Sequence, residues 1–270
     1  MSVSKTIYEN TSVADVEGTI ASVSEVFRLQ KNEEYLEKEK KYLPSYTNVK
    51  AVILAAGGPG SLGFERPKAL LKMNGKSILE HQLEAIKAVG VTDISIVRGY
   101  KKEEIQVPGI TMIDNDKWAE TNAAHSLSLA ASLISQPYLV LYSDVFFKRY
   151  LLRTMLDYSE EYPSADVILV CVREDYIDAG YYLRLNKKPD VFDNDRDLSI
   201  SEVCLGRDGG REETAVYFSG LMMVNNYQAA SQLLESCDEE QLSTAAFLRG
   251  ALEAGMRLGS YRESDDTEGM

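Results

Sequence analysis

Four glycines, one lysine and one aspartate supply the residue types from which phosphate chemistry is built. Gly57, Gly58, Gly60 and Gly63 fall in one short loop, and Lys68 follows it directly after Pro67. The backbone N–H groups of such a loop approach an anion closely, because glycine adopts φ > 0 freely and carries no Cβ. A lysine beyond the loop adds a mobile positive charge for phosphate oxygens. Asp144 emerges from the apolar run Pro137 to Leu141. A carboxylate there suits Mg²⁺, a hard cation that prefers carboxylate and phosphate oxygens. Taken alone, the same residues also fit an ordinary strand–loop–helix joint with a surface lysine, and an Asp144 that caps a helix from Phe147.

These residues need a scaffold, and the spacing from Val49 onward supplies one. Ala51 to Leu54 reads as a buried strand that empties into the glycine loop. Ile78 to Val89 has helical spacing and is stopped by Gly90; Asp93 to Val97 and Thr111 to Ile113 read as strands. A helix opens near Thr121 and runs to about Ile134, Pro137 to Leu141 is a strand, Phe147 to Tyr158 a helix and Ala165 to Val172 a strand. Later segments continue with strands at Tyr181 to Leu185, Ser199 to Val203 and Ala215 to Val224, and helices at about Tyr227 to Leu234 and Ser243 to Ala254. Alternation of this kind predicts an α/β fold, with a mainly parallel sheet flanked by helices on both faces. Ligands then bind beyond the carboxyl ends of the strands. The loop at 55–68, Asn122 and Asp144 all fall at such ends.

Composition narrows the function. A net charge of −13 argues against a nucleic-acid surface, and an anionic substrate must find a local positive pocket in a repulsive field. No apolar run reaches the roughly 18 residues that span a membrane, and the N-terminus lacks a signal-peptide pattern. Three widely spaced cysteines, Cys171, Cys204 and Cys237, fit reduced thiols in a cytoplasmic setting, with neither a disulfide frame nor a zinc site.

Residues 1–48 differ from the rest. Val13, Val16, Ile20, Val23 and Val26 recur at helical spacing, and KNEEYLEKEKKYLP places Glu and Lys at i, i+4 before the stop at Pro44. This reads as a helical arm, 1–48, that packs on a main domain, 49–270, or on a partner subunit of a homo-oligomer.

Two resemblances sharpen the picture. LAAG at Leu54, Ala55, Ala56 and Gly57, then Pro67-Lys68 and Asn74-Gly75-Lys76, resembles the opening of the nucleotidyltransferase family. Those enzymes join a nucleoside triphosphate to a phosphorylated partner and release pyrophosphate. The resemblance implies a Rossmann-like fold, Lys68 as the catalytic cation, and nucleotide contacts from residues 54–58 and Gly60. Further nucleotide contacts follow from Tyr100 after a strand, from Asn122 and Ser126 in an Asn-x-x-x-Ser-Leu segment, and from Ser143. Without the family, Asn122 reads as a loop turn and Ser126 as a helix cap. The family loop commonly reads G-x-G-x-R; here its arginine place is Leu62, and Arg66 is the residue left to supply that charge. Asp144 corresponds to the first metal ligand and Asp266, in Asp266-Thr267-Glu268, to the second, with Mg²⁺ as cofactor.

The family also carries a glycine beside its acceptor site where Gly220 stands. Tyr182 and Tyr217, with Tyr181 and Phe218, are then candidate walls, although aromatics in strands are more often plain core. The Asn-x-x-x-Ser-Leu segment is similar to the phosphocholine and aminoethylphosphonate branch, which implies CTP as donor and a small phosphonate or phosphate monoester as acceptor. VSEVFRLQ and EEYLEKEKKYLP resemble the C-terminal end of phosphoenolpyruvate mutases. That second likeness implies phosphonate biosynthesis and a chain cut or descended from a mutase fusion, with no mutase chemistry of its own. The alternatives are a phosphocholine or sugar-1-phosphate nucleotidyltransferase, and a catalytically weak binding module.

Overall fold

The computed structural model describes residues 46–58, 65–147, 149–172, 180–189, 198–206, 212–237 and 242–262. In chain order these form β1 (Lys50–Ala55), a small hairpin of β2 (Lys72–Met73) and β3 (Lys76–Ser77), α1 (Ile78–Ala88), β4 (Asp93–Arg98), β5 (Thr111–Asp114), α2 (Ala123–Ala131) and β6 (Tyr138–Tyr142). There follow α3 (Arg149–Glu161), β7 (Val167–Val172), β8 (Tyr181–Leu185), β9 (Ile200–Leu205), β10 (Ala215–Val224), α4 (Tyr227–Ser236), α5 (Thr244–Glu253) and β11 (Leu258–Arg262).

All six residues of β1 are buried, so this strand must have neighbours on both edges and cover on both faces. It has both. β4 and β6 pair with it in parallel, and the main path runs β11-β7-β10-β6-β1-β4-β5. β5 joins β4 and β11 joins β7 in parallel, whereas β10 runs antiparallel to β6 and β7. β8 and β9 extend β10 as an antiparallel flap of the same sheet. The fold is therefore a mixed, mostly parallel sheet between helical layers.

The period of two along β1 sorts its side chains into two cores. Val52 and Leu54 pack with Leu127 of α2, Leu234 of α4 and Phe247 of α5. Ala51 and Ile53 pack on the other face with Leu79 and Ile86 of α1 and Leu152 of α3. Tyr46 joins that second core, so the packed domain includes residues ahead of Val49. α1 begins with a reciprocal cap: Glu80 N donates to Ser77 Oγ at 3.2 Å, and Ser77 N donates to the Glu80 carboxylate at 2.6 Å. Its end is turned by Gly90 at φ +86°. Among the described residues, no helix is long and apolar enough to cross a membrane. The arm expected over 1–48 lies outside the described residues except at its last three positions.

The geometry demands glycine at position 220. Gly220 sits at φ +92°, where β10 bulges against β7 between Phe218 and Met222. A Cβ on it would lie 2.7 Å from Val145 Cγ2 and 3.1 Å from Tyr142 Cβ. Gly220→Ala therefore combines left-handed strain with overpacking, a loss of roughly 2–4 kcal/mol. Thermal denaturation is expected to show a midpoint lowered by about 5–15 °C; a shift under about 2 °C, by the same scaling, would mean that the segment above it relaxes freely.

Candidate active site

Strand order reverses beside β1. From β1 the chain steps outward to β4 and β5, then returns through α2 to β6 on the opposite edge of β1. Crevices open at such a switch point, beyond the carboxyl ends of the strands. A cleft of about 180 Å³ lies there, lined by Leu54, Ala55, Ala56 and Gly57 from β1 and its exit, and by Tyr142, Ser143 and Asp144 from β6. Lys68, Asn115, Trp118, Thr121, Asn122, Ala123 and Ser126 complete the wall.

The exits of β1 and β6 are tied together. Ser143 N donates to Leu54 O at 3.1 Å, which continues the parallel ladder by one rung past Tyr142. From beneath, buried Gln82 of α1 donates its amide to Tyr142 O at 2.9 Å and to Val145 O at 2.7 Å. Both carbonyls flanking Ser143-Asp144 are thus fixed by one side chain. The Tyr142 hydroxyl meets Thr244 Oγ1 of α5 at 2.7 Å, and burial pushes it up to about 12. The backbone that presents Asp144 is held from three sides.

Lys68 opens a single 3₁₀ turn, Lys68–Leu70, whose Ala69 is buried. Its Nζ reaches Asp144 Oδ2 at 3.1 Å, across the gap between the exits of β1 and β6. Both side chains keep about a third or more of their surface exposed, 34% and 42%. The two residues singled out for cation and metal chemistry are therefore in direct contact. Asp144 is not a helix cap, since α3 starts only at Arg149.

Asn122 rather than Ser126 caps α2. Its side-chain oxygen accepts from Ala124 N at 2.9 Å, and its amide donates to Leu242 O. Ser126 lies inside the helix, where its Oγ accepts from Asn115 Nδ2 at 3.1 Å. Asn115 also donates to Thr121 Oγ1 at 3.0 Å and accepts from Lys117 N at 3.0 Å. This network locks the turn between β5 and α2. Asn115 is placed at the cleft only by the structure; its one sequence signal is its position just past a strand.

Other expected residues are dispersed. Gly58 faces Trp118, and Tyr100 N donates to Ala56 O at 3.1 Å without lining the cleft. Arg66 is turned to Glu104, Nε to Oε2 at 3.5 Å, with 63% of its side chain exposed, so its charge is not brought to the cleft. Tyr182 of β8 and Tyr217 of β10 pack with Ala215 in a separate cluster, and neither is among the residues that line the cleft. Gly220 packs against Tyr142 and Val145, and Phe218 stands edge-on to the Tyr142 ring, 5.6 Å between centroids. Gly60, Leu62 and Asp266 lie outside the described residues.

The donor set tests for a metal. Among the described residues no three His, Cys, Asp or Glu side chains converge. One exposed carboxylate beside a lysine ammonium still fits Mg²⁺, which is commonly held by one or two carboxylates plus substrate phosphates. His81 is engaged elsewhere, its Nε2 meeting Met73 O at 2.8 Å and its ring standing edge-on to Phe146.

Comparison with known proteins agrees with this fold. Residues 51–245 match the sequence model of the MobA-like NTP transferase domain. The chain is 36% identical over 107 residues to the choline-phosphate cytidylyltransferase of Streptococcus pneumoniae, covering 37% of this chain and 47% of that protein. It is 31% identical over 94 residues to the 2-aminoethylphosphonate cytidylyltransferase of Lancefieldella rimae, covering 32% and 38%. It thus spans less than half the length of either relative. The structure of the inositol-1-phosphate CTP transferase from T. maritima shares the fold, with a TM-score of 0.60 at 17% identity over 79% of this chain and 84% of that one.

Proposed function

Because the chain belongs to the MobA-like NTP transferase family, we propose that it transfers a cytidylyl group from CTP to a small phosphonate, 2-aminoethylphosphonate first, with release of pyrophosphate. One observation carries this reading: Lys68 Nζ and Asp144 Oδ2 meet at 3.1 Å in the cleft at the switch point. The choice of cytidine and of a phosphonate rests on the similarity to a 2-aminoethylphosphonate cytidylyltransferase and on the mutase-like sequence at 23–44.

An acceptor oxygen forms a bond to the α-phosphorus while the bond from that phosphorus to the bridging oxygen breaks, and pyrophosphate leaves with the electron pair. A phosphonate oxygen that is already anionic needs no base, so neither histidine is required. What the reaction needs is alignment of two anions and neutralisation of their charge. Ala56, Gly57 and Gly58 offer backbone at the exit of β1 to the phosphates, and Lys68 stabilises the charge that gathers on the α-phosphoryl oxygens. Asn122 and Ser126 border the nucleoside end. Asp144, with Asp266 beyond the described residues, would hold Mg²⁺, which supplies Lewis-acid charge neutralisation when bound.

Phosphocholine is the second acceptor to test, given the likeness to a choline-phosphate enzyme. The measurement is pyrophosphate release with and without Mg²⁺, for four nucleoside triphosphates against 2-aminoethylphosphonate, phosphocholine and glucose 1-phosphate. Release that requires Mg²⁺, CTP and the phosphonate is expected. Release with another acceptor would keep the transferase and discard the phosphonate; none from any pair, with folded protein, would leave a binding module.

A further inference from the structure

Trp118 is the chain's one tryptophan, and it lines the same cleft as Lys68 and Asp144. Its seat is built by two glycines from different segments. A Cβ on Gly99 would fall 2.5 Å from Trp118 Cβ and 2.8 Å from Ala56 O; one on Gly58 would fall 2.9 Å from Trp118 Cζ3. The indole therefore lies along the exit of β1, from the end of β4 to the phosphate loop, in space that any other residue at 58 or 99 would take. The Tyr100 ring braces it from the side, 5.1 Å between centroids at 62°. The turn that carries Trp118 is pinned by Asn115, which is itself buried and satisfied by Lys117 N, Thr121 and Ser126.

A large aromatic plane, half-buried, backed by glycine and fixed at both ends, has the properties of a stacking platform. We infer that the Trp118 indole is the surface on which the nucleobase of the bound nucleotide stacks. The inference rests on the nucleotide reading above and adds a residue role to it. Stacking on an aromatic face tolerates any base, so Trp118 supplies affinity and placement and leaves discrimination between bases to hydrogen-bonding groups elsewhere in the cleft.

A single tryptophan makes the test direct. The full 270-residue chain is titrated with CTP, UTP and inorganic tripolyphosphate, following indole fluorescence and, in parallel, heat of binding. CTP is expected to quench the emission at the concentrations where heat is released, while tripolyphosphate binds without quenching. Trp118→Ala is expected to weaken CTP and UTP by a common factor, about 5- to 150-fold, leaving their ratio unchanged. Trp118→Phe, which keeps a ring in the seat and guards against a misfolded alanine variant, is expected to lose less. Calorimetric binding of CTP with unchanged emission, or a phenylalanine variant as weak as alanine with CTP alone affected, overturns the platform and spares the nucleotide site. Absence of heat with every nucleoside triphosphate overturns both.

Discussion

Asp144→Ala is expected to remove nucleotidyl transfer while leaving the protein folded. The carboxylate would hold the metal whose charge neutralisation is worth several kcal/mol to phosphoryl chemistry, a loss of roughly a thousandfold or more in rate at about 1.4 kcal/mol per factor of ten. Its structural role is small by comparison. The side chain is 42% exposed and its partner is Lys68, and a pair of that kind contributes about 0–1 kcal/mol to stability. The backbone around it is fixed by Gln82 and by the Ser143–Leu54 hydrogen bond, neither of which uses the carboxylate. Pyrophosphate release and a melting curve on the same preparation separate the two effects. A variant within about tenfold of the parent, only about 1.4 kcal/mol of barrier, would remove Asp144 from the centre.

Lys68→Ala is expected to cut turnover about a hundred- to a thousandfold, the range found when a charge-stabilising donor is removed from a transition state. CTP binding should weaken far less, since the loop backbone still meets the phosphates. The comparison of kcat with the CTP dissociation constant reads this split directly. Lys68→Arg is not expected to restore the rate, because a planar fork cannot occupy the point-charge position that an ammonium on a flexible stem does. A variant with normal turnover at saturating CTP would assign Lys68 to ground-state binding alone.

Much of the scaffold is legible in the sequence because it is written in local pattern. β10 spans the expected Ala215–Val224, since ten residues in a row with nine of them buried leave little ambiguity of length. α1 closes where Gly90 and its positive φ require. The helix expected from Phe147 begins at Arg149, and α2 ends at Ala131 rather than near Ile134, as frayed ends carry no strong signal. Lys68 and Asp144, 76 positions apart, are readable as a pair only through the family pattern. What sequence does not yield is contact between segments. Trp118 takes its place by filling space above Gly58 and Gly99, and no periodicity encodes that. Tyr182 and Tyr217 show the same limit: period and composition mark them as aromatic strand residues, and only the packing shows that they share a cluster with Ala215.

The resting contact between Lys68 and Asp144 has a consequence for the order of loading. With no ligand the two charges neutralise each other, in a protein whose net charge is −13. On the proposed reading, a divalent cation arriving alone at Asp144 would displace the ammonium and leave it facing a like charge. A nucleotide arriving alone would take the ammonium and leave the carboxylate facing a polyanion. Only when cation and nucleotide enter together would each of the two side chains keep an opposite charge beside it. On the proposed reading each ligand therefore raises the affinity for the other, and by the same factor in both directions. On that reading the centre binds free divalent ions and free nucleotide more weakly, and their complex most tightly.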